Sequence, residues 1–186
     1  MSENTYEIRS TEVKSFTYKT PIIMQDEAGL HAYTSEKKTF IKKIIFLNEV
    51  CRDKSGKILS YKPLYHVNRF LIDHHVTDGK QESEQYSKAL INYFSFIIAL
   101  QKSWDKNKRN RDFENENQRP RWDLMNKRKS QRLTYMYREA LKASALDQSQ
   151  EKIARTTATA YMNAVVKFYK RIVLIIDCYL VSASLA

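Results

Sequence analysis

The stretch Arg155–Arg171, RTTATAYMNAVVKFYKR, admits few structures other than an amphipathic helix. Ala158, Tyr161, Val165, Phe168, Tyr169 and Ile172 recur at three- and four-residue steps, so they share one side of a 3.6-residue turn. Thr156 is placed to cap its start, since a hydroxyl there accepts from the free N–H groups of the first turn. The opposite side carries Thr159, Asn163, Lys167 and Lys170, and no acid occurs between Glu151 and Asp177. A helix with an aromatic core side and a basic, amide-bearing outer side can pack inward and meet phosphates and base edges outward. The plainer alternative is a surface helix with solvated lysines, because exposed lysine is common.

The rest of the composition supports a helical, polyanion-binding chain. Only 3 glycines and 3 prolines occur in 186 residues, which favours long helices over a turn-rich β fold. Lysine plus arginine number 32 against 21 acids, a net charge of +11, which favours nucleic acid or an anionic surface as partner. With 12 tyrosines and 8 phenylalanines the chain can fill a core and is no disordered basic tail. Cys51 and Cys178 stand far apart, so they form neither a disulfide framework nor a metal pair. The start, MSENTYEIRS, lacks an apolar signal core, and Ile172–Val181, the most apolar run, is interrupted by Asp177. These features lead us to expect a cytoplasmic protein with no membrane partner.

In chain order, residues 1–20 read as a frayed start with one strand at most, anchored by Phe16 and Tyr18. Thr20–Thr34 reads as two short strands around a turn at Asp26–Gly29. Within Thr39–Val50, Phe40, Ile44, Phe46 and Leu47 fit a helix in part, and the β-branched content fits a strand in part; the first half is read as helical. Asp53–Gly56 is a turn, with Gly56 where positive φ is tolerated and Val50 and Ile58 flanking it on a small hairpin. From Pro63, suited to a first helical turn, a short helix runs to His75 with Leu64, Val67, Phe70 and Leu71 inward. Ser83 caps a long helix to about Lys102, its core stripe Tyr86, Leu90, Tyr93, Phe94, Ile97 and Ile98, with Lys88, Asn92 and Ser95 outward. Trp104–Arg132 is a basic loop in which Trp122, beside Arg119-Pro120-Arg121, suggests a docked segment. Thr134 caps a further short helix with Met136, Ala140 and Leu141 inward. The expected fold is mainly α, a bundle of about four helices over 62–172 preceded by a small mixed N-terminal subregion over 1–61, with 173–186 as an apolar tail.

The two long helices echo each other: Tyr86, Leu90, Tyr93, Phe94 and Ile97 align in spacing with Tyr161, Val165, Phe168, Tyr169 and Ile172. Arg155-Thr156-Thr157-Ala158 followed by Tyr161, Val165, Phe168 and Tyr169, with Val67-Asn68-Arg69-Phe70-Leu71 upstream, resembles the core-binding region of the tyrosine recombinases, the phage integrase family. The resemblance covers roughly Lys62 to Arg171 and implies a SAM-like helical bundle that grips DNA during integration and recombination. The family's catalytic Arg, Lys, His-x-x-Arg and nucleophilic Tyr lie in a following domain. His74 and His75 lack the Arg at that spacing, and the sequence ends at Ala186, short of such a domain, which reads as a truncated or frame-shifted product. The expected role is therefore binding without breaking and rejoining, with no catalytic residue, cofactor or metal.

The expected DNA contacts are Lys88, Asn92, Ser95, Lys106, Lys108, Arg109, Arg119, Arg121, Arg128, Lys129, Arg155, Thr159, Asn163, Lys167 and Lys170. Lysines and arginines supply phosphate contacts, while Asn92 and Asn163 can pair with an adenine edge. The expected partner is double-stranded DNA, with a homo-oligomer on DNA left open. Two rivals stand beside this reading: a basic helical module for an acidic protein partner, and an RNA-binding bundle.

Overall fold

Two long strands, rather than a frayed start, occupy the N-terminal part of the chain. β1 spans Thr5–Gln25 and β2 spans His31–Arg52, paired antiparallel from Thr5↔Arg52 to Gln25↔His31. β3, Ile58–Pro63, pairs antiparallel with the other edge of β2, so the sheet order is β1-β2-β3. The structure, a computed structural model, describes the backbone of residues 4–25, 31–79, 83–107, 118–124, 126, 128–146 and 154–183, and the side chains of these except 21–25, 31–35, 146 and 173–183. The turn expected at Asp26–Gly29 lies outside the described residues. The expected mainly-α class is corrected to a mixed one, a three-stranded antiparallel sheet followed, among the described residues, by four α-helices.

The physical reason for the miss lies in β2. Its buried residues include Ile41, Leu47 and Cys51 on one parity and Ile44, Asn48 and Val50 on the other, so the alternation that marks a half-exposed strand is absent. The steps from Ile41 to Ile44 to Leu47 mimic a helical stripe, and the helical reading of the first half of Thr39–Val50 is overturned. β1 is built from Tyr, Ile, Thr, Val and Phe, residues that suit a pleated surface, interleaved with charges. Some of those charges face like charges across the ladder and are offset by acids on the diagonal. Lys14 sits opposite Lys43 and Lys19 opposite Lys38, and diagonal acids relieve the repulsion: Lys43 is 2.9 Å from Glu12, and Lys19 is 2.9 Å from Glu36. The Asp53–Gly56 turn forms as expected, with Gly56 at φ +83° and the Asp53 carboxylate accepting from Ser55 N–H and Lys57 N–H.

β3 ends at Pro63, opposite Asn48, which leaves the next residue of β2, Leu47, without a strand neighbour on that side. The first helix supplies the substitute. α1, Tyr65–Val76, brings the buried Asn68 against Leu47, so that Asn68 Oδ1 accepts from Leu47 N–H at 2.7 Å and Asn68 Nδ2 donates to Leu47 C=O at 3.0 Å. One amide thus satisfies the N–H of a fully buried residue, shares its C=O with Leu64 N–H at 2.9 Å, and fixes α1 to the sheet. Pro63 closes β3 rather than opening the helix.

α2 spans Glu84–Lys106, α3 spans Leu133–Leu146 after a short 3-10 turn at Lys129–Gln131, and α4 spans Arg155–Ala183. All three expected caps differ from the structure. Ser83 precedes α2, but its hydroxyl meets His75 Nε2 at 3.0 Å and caps nothing, because a buried imidazole nitrogen needs a partner. Thr134 and Thr156 lie inside their first turns, since α3 begins at Leu133 and α4 at Arg155. The core joins Leu47 of the sheet to Val67, Phe70 and Leu71 of α1, Leu90, Tyr93, Phe94 and Ile97 of α2, Leu133, Tyr137 and Leu141 of α3, and Val165, Phe168 and Ile172 of α4. The echo between the long helices becomes a contact here: the Phe94 and Phe168 rings lie 6.0 Å apart, and the Tyr93 and Tyr169 hydroxyls are 2.7 Å apart. Burial pushes both tyrosines up, Tyr169 to about 12, so they act as neutral hydrogen-bonding groups.

Candidate nucleic-acid interface

α4 packs against α1, α2 and α3, and the packing decides which of its residues face out. Val165, Phe168 and Ile172 are buried while Arg155, Thr159, Asn163, Val166 and Lys170 are exposed, at three- and four-residue steps. This stripe extends about 22 Å from Arg155 to Lys170 at the helical rise per residue. Among the described residues neither Arg155 nor Lys170 is paired with an acid. Thr159 donates its hydroxyl to the Arg155 carbonyl at 2.9 Å, which leaves its oxygen lone pairs outward. Asn163 borders a groove of about 430 Å³ between α3 and α4, floored by Leu141, Ala145, Ala158 and Met162. Two of its lining residues, Ala145 and Ala158, carry only methyl groups.

Two bases that the sequence reading missed complete the rim of this groove, Arg138 and Lys142 on α3. Both pair with Glu139 of their own helix, at 2.8 and 3.2 Å. Their i,i+4 spacing on the outer side of α3 was the available signal.

The other flank of α4 is occupied by acids. Lys167 Nζ is 2.7 Å from Asp78 Oδ2, and Arg171 reaches Asp73 at 3.8 Å, with Arg69 on the same aspartate at 3.2 Å. The hydrogen bond that Lys167 donates to Asp78 raises the Lys167 ammonium and, reciprocally, lowers the Asp78 carboxyl. His74 Nδ1 lies 3.1 Å from the same Asp78 oxygen. Burial holds the imidazole below its ordinary 6.5 despite that carboxylate.

The basic loop divides between docked and exposed positions. Residues 118–124 are strapped down: Gln101 Nε2 donates to Pro120 C=O at 2.7 Å, the Tyr169 hydroxyl donates to Trp122 C=O, and the Trp122 ring lies 5.1 Å from His66 and 6.0 Å from Phe168. Trp122 is thus the anchor its sequence position suggested. The arginines beside it are already engaged, Arg119 with both oxygens of Asp105 at 2.9 and 2.8 Å and Arg121 with both oxygens of Asp123 at 3.1 and 2.7 Å. Such forked pairs compete with phosphate for the same guanidinium edge. Arg128 precedes the 3-10 turn and Lys129 opens it, both exposed, and Lys106 is exposed at the end of α2. Lys108 and Arg109 lie outside the described residues.

On α2 the expected outer residues separate. Ser95 is exposed, and Lys88 pairs with Glu84 at 2.9 Å. Asn92 is turned toward α3, where its Oδ1 accepts from the buried Tyr137 hydroxyl at 2.7 Å, so that oxygen is committed to the protein's own packing. The fifteen candidates therefore do not form one surface. The group the fold brings together is Arg155, Thr159, Asn163 and Lys170, with Arg138 and Lys142 across the groove.

Among the described residues no helix is long and apolar enough to cross a membrane. No protein-family model, no curated protein and no solved structure matches the chain.

Proposed function

We propose that this protein is a DNA-binding module of tyrosine-recombinase core-binding type, which lays the exposed stripe of α4 along duplex DNA and performs no strand chemistry itself. One observation carries the reading: Arg155 and Lys170 bracket Thr159 and Asn163 on a single helix face, free of the acids that neutralise other bases nearby. Arg155 and Lys170 contact phosphates and displace counterions. Asn163, with both amide donor and acceptor, reads a base edge between them. Arg138 and Lys142 widen the positive field on the α3 side.

Fluorescence anisotropy with a random-sequence duplex at low salt tests this. Binding should weaken steeply as salt rises, with a slope worth several phosphate contacts. Flat anisotropy at low salt would remove the reading. It would favour the second one, which rests on the apolar floor of the α3–α4 groove, an acidic amphipathic protein segment with its apolar side against Leu141 and Met162.

A further inference from the structure

By spacing, Lys167 belongs beside Asn163 and Lys170, but its ammonium is turned toward the segment that follows α1. It rests 2.7 Å from Asp78 Oδ2 and 5.2 Å from the centre of the Tyr86 ring. Asp78 is itself held in place. His74, almost fully buried with its ring 4.4 Å from Tyr86, meets the same carboxylate oxygen at 3.1 Å. The carboxylate therefore presents its charge to Lys167 from a fixed position. Phe70, Asp73, Lys170 and Arg171 line the small crevice around the pair.

A carboxylate and a phosphodiester make the same demand on an ammonium, an anionic oxygen at hydrogen-bonding distance. Lys167 remains partly exposed, so a phosphate near Lys170 could reach it only by displacing Asp78 or by sharing the ammonium with it. Asp78 would also repel that phosphate directly.

We propose that Asp78 is a built-in competitor for DNA: it occupies Lys167 in the free protein and limits the number of phosphates that α4 engages. This inference rests on the DNA-binding reading above and assigns Asp78 a regulatory part in it.

The test is a salt series with the same random-sequence duplex, on the parent, Asp78→Asn, Lys167→Ala, the double variant and Lys170→Ala. Asp78→Asn should bind about three- to tenfold more tightly at low salt, with a slope steeper by ~0.9, the signature of one added phosphate contact. Lys167→Ala alone should weaken binding by less than Lys170→Ala does and leave the slope unchanged, because it removes no phosphate contact and only leaves the Asp78 charge uncompensated. The double variant should return to the parent. Asp78→Asn binding no better than the parent would overturn the proposal, and so would Lys167→Ala losing as much affinity as Lys170→Ala. The second comparison does not need Asp78→Asn to fold. If the parent binds and Lys170→Ala weakens it while the Asp78 and Lys167 variants show none of these effects, only the role of Asp78 falls. If the parent binds no duplex, the reading of α4 falls and this one with it.

Discussion

The two flanks of α4 handle charge in opposite ways. Toward α1, acids cross from the neighbouring segment to the helix: Asp78 holds Lys167 and Asp73 approaches Arg171. Toward α3, the one paired acid, Glu139, stays on its own helix with Arg138 and Lys142, and among the described residues no acid reaches α4. The packing differs in the same sense. The α1 flank closes over stacked rings, Phe70 edge-on to Phe168 at 5.7 Å, with a crevice of about 170 Å³. The α3 flank opens into a groove of about 430 Å³. A net charge of +11 therefore does not locate a binding surface. Bases that already have an intramolecular acid give up little on meeting a phosphate, and those without one release counterions.

Loosening α4 itself should have the largest effect on both flanks. Phe168 is fully buried among Phe70, Phe94, Trp122 and Tyr169. Phe168→Ala should cost about 3–5 kcal/mol in chemical denaturation, from lost burial and an unfilled cavity. Val166→Ala, on the exposed stripe, should stay within about 0.5 kcal/mol.

A smaller effect isolates the α1 flank. Asn68→Ala would strand the buried N–H of Leu47, while its C=O keeps the bond from Leu64 N–H, and should cost about 1–3 kcal/mol. Because Asn68 touches no part of α4's exposed stripe, DNA affinity of the folded fraction should be unchanged. An equal loss of binding would show that the two flanks are not independent.

The smallest effect is a pH dependence confined to the α1 flank. Burial lowers the folded-state pKa of His74 below its ordinary value, so near neutrality and below, the unfolded chain binds the extra proton more readily. The stability from a neutral His74 is complete above about pH 6.5 and is lost as pH falls from there through the lower folded-state pKa. The melting temperature should drop on acidification from about pH 7 to pH 5.5, and His74→Gln should flatten that drop. A His74→Gln curve parallel to the parent would mean that His74 is not the titrating group.

The bundle was legible in the sequence and the sheet was not, for reasons visible in single residues. Val165, Phe168 and Ile172, or Leu90, Tyr93 and Ile97, keep helical spacing because each helix buries one side only. β2 is covered on both faces, so its pattern carries no period, and the Ile41–Ile44–Leu47 steps imitate the wrong one. Tyr137 is core although it lies beside Arg138 and Glu139 in sequence, and its hydroxyl is accommodated by Asn92 of α2, a partner that only the fold supplies. The candidate site was legible in outline, since Arg155, Thr159, Asn163 and Lys170 follow from helical geometry alone. What could not be read was neutralisation. Asp105 for Arg119 and Asp78 for Lys167 lie 14 and 89 residues away in sequence and meet them only through the fold.

Contact between α4's acid-free stripe and the duplex is probed by the double variant Arg155→Ala/Lys170→Ala. At matched stability, the slope of log affinity against log salt should fall by ~1.8, two phosphate contacts, and low-salt affinity should drop by at least about tenfold. A double variant that binds random-sequence duplex with the parent's affinity and slope would contradict the account, because the DNA would then lie on some other face of the molecule.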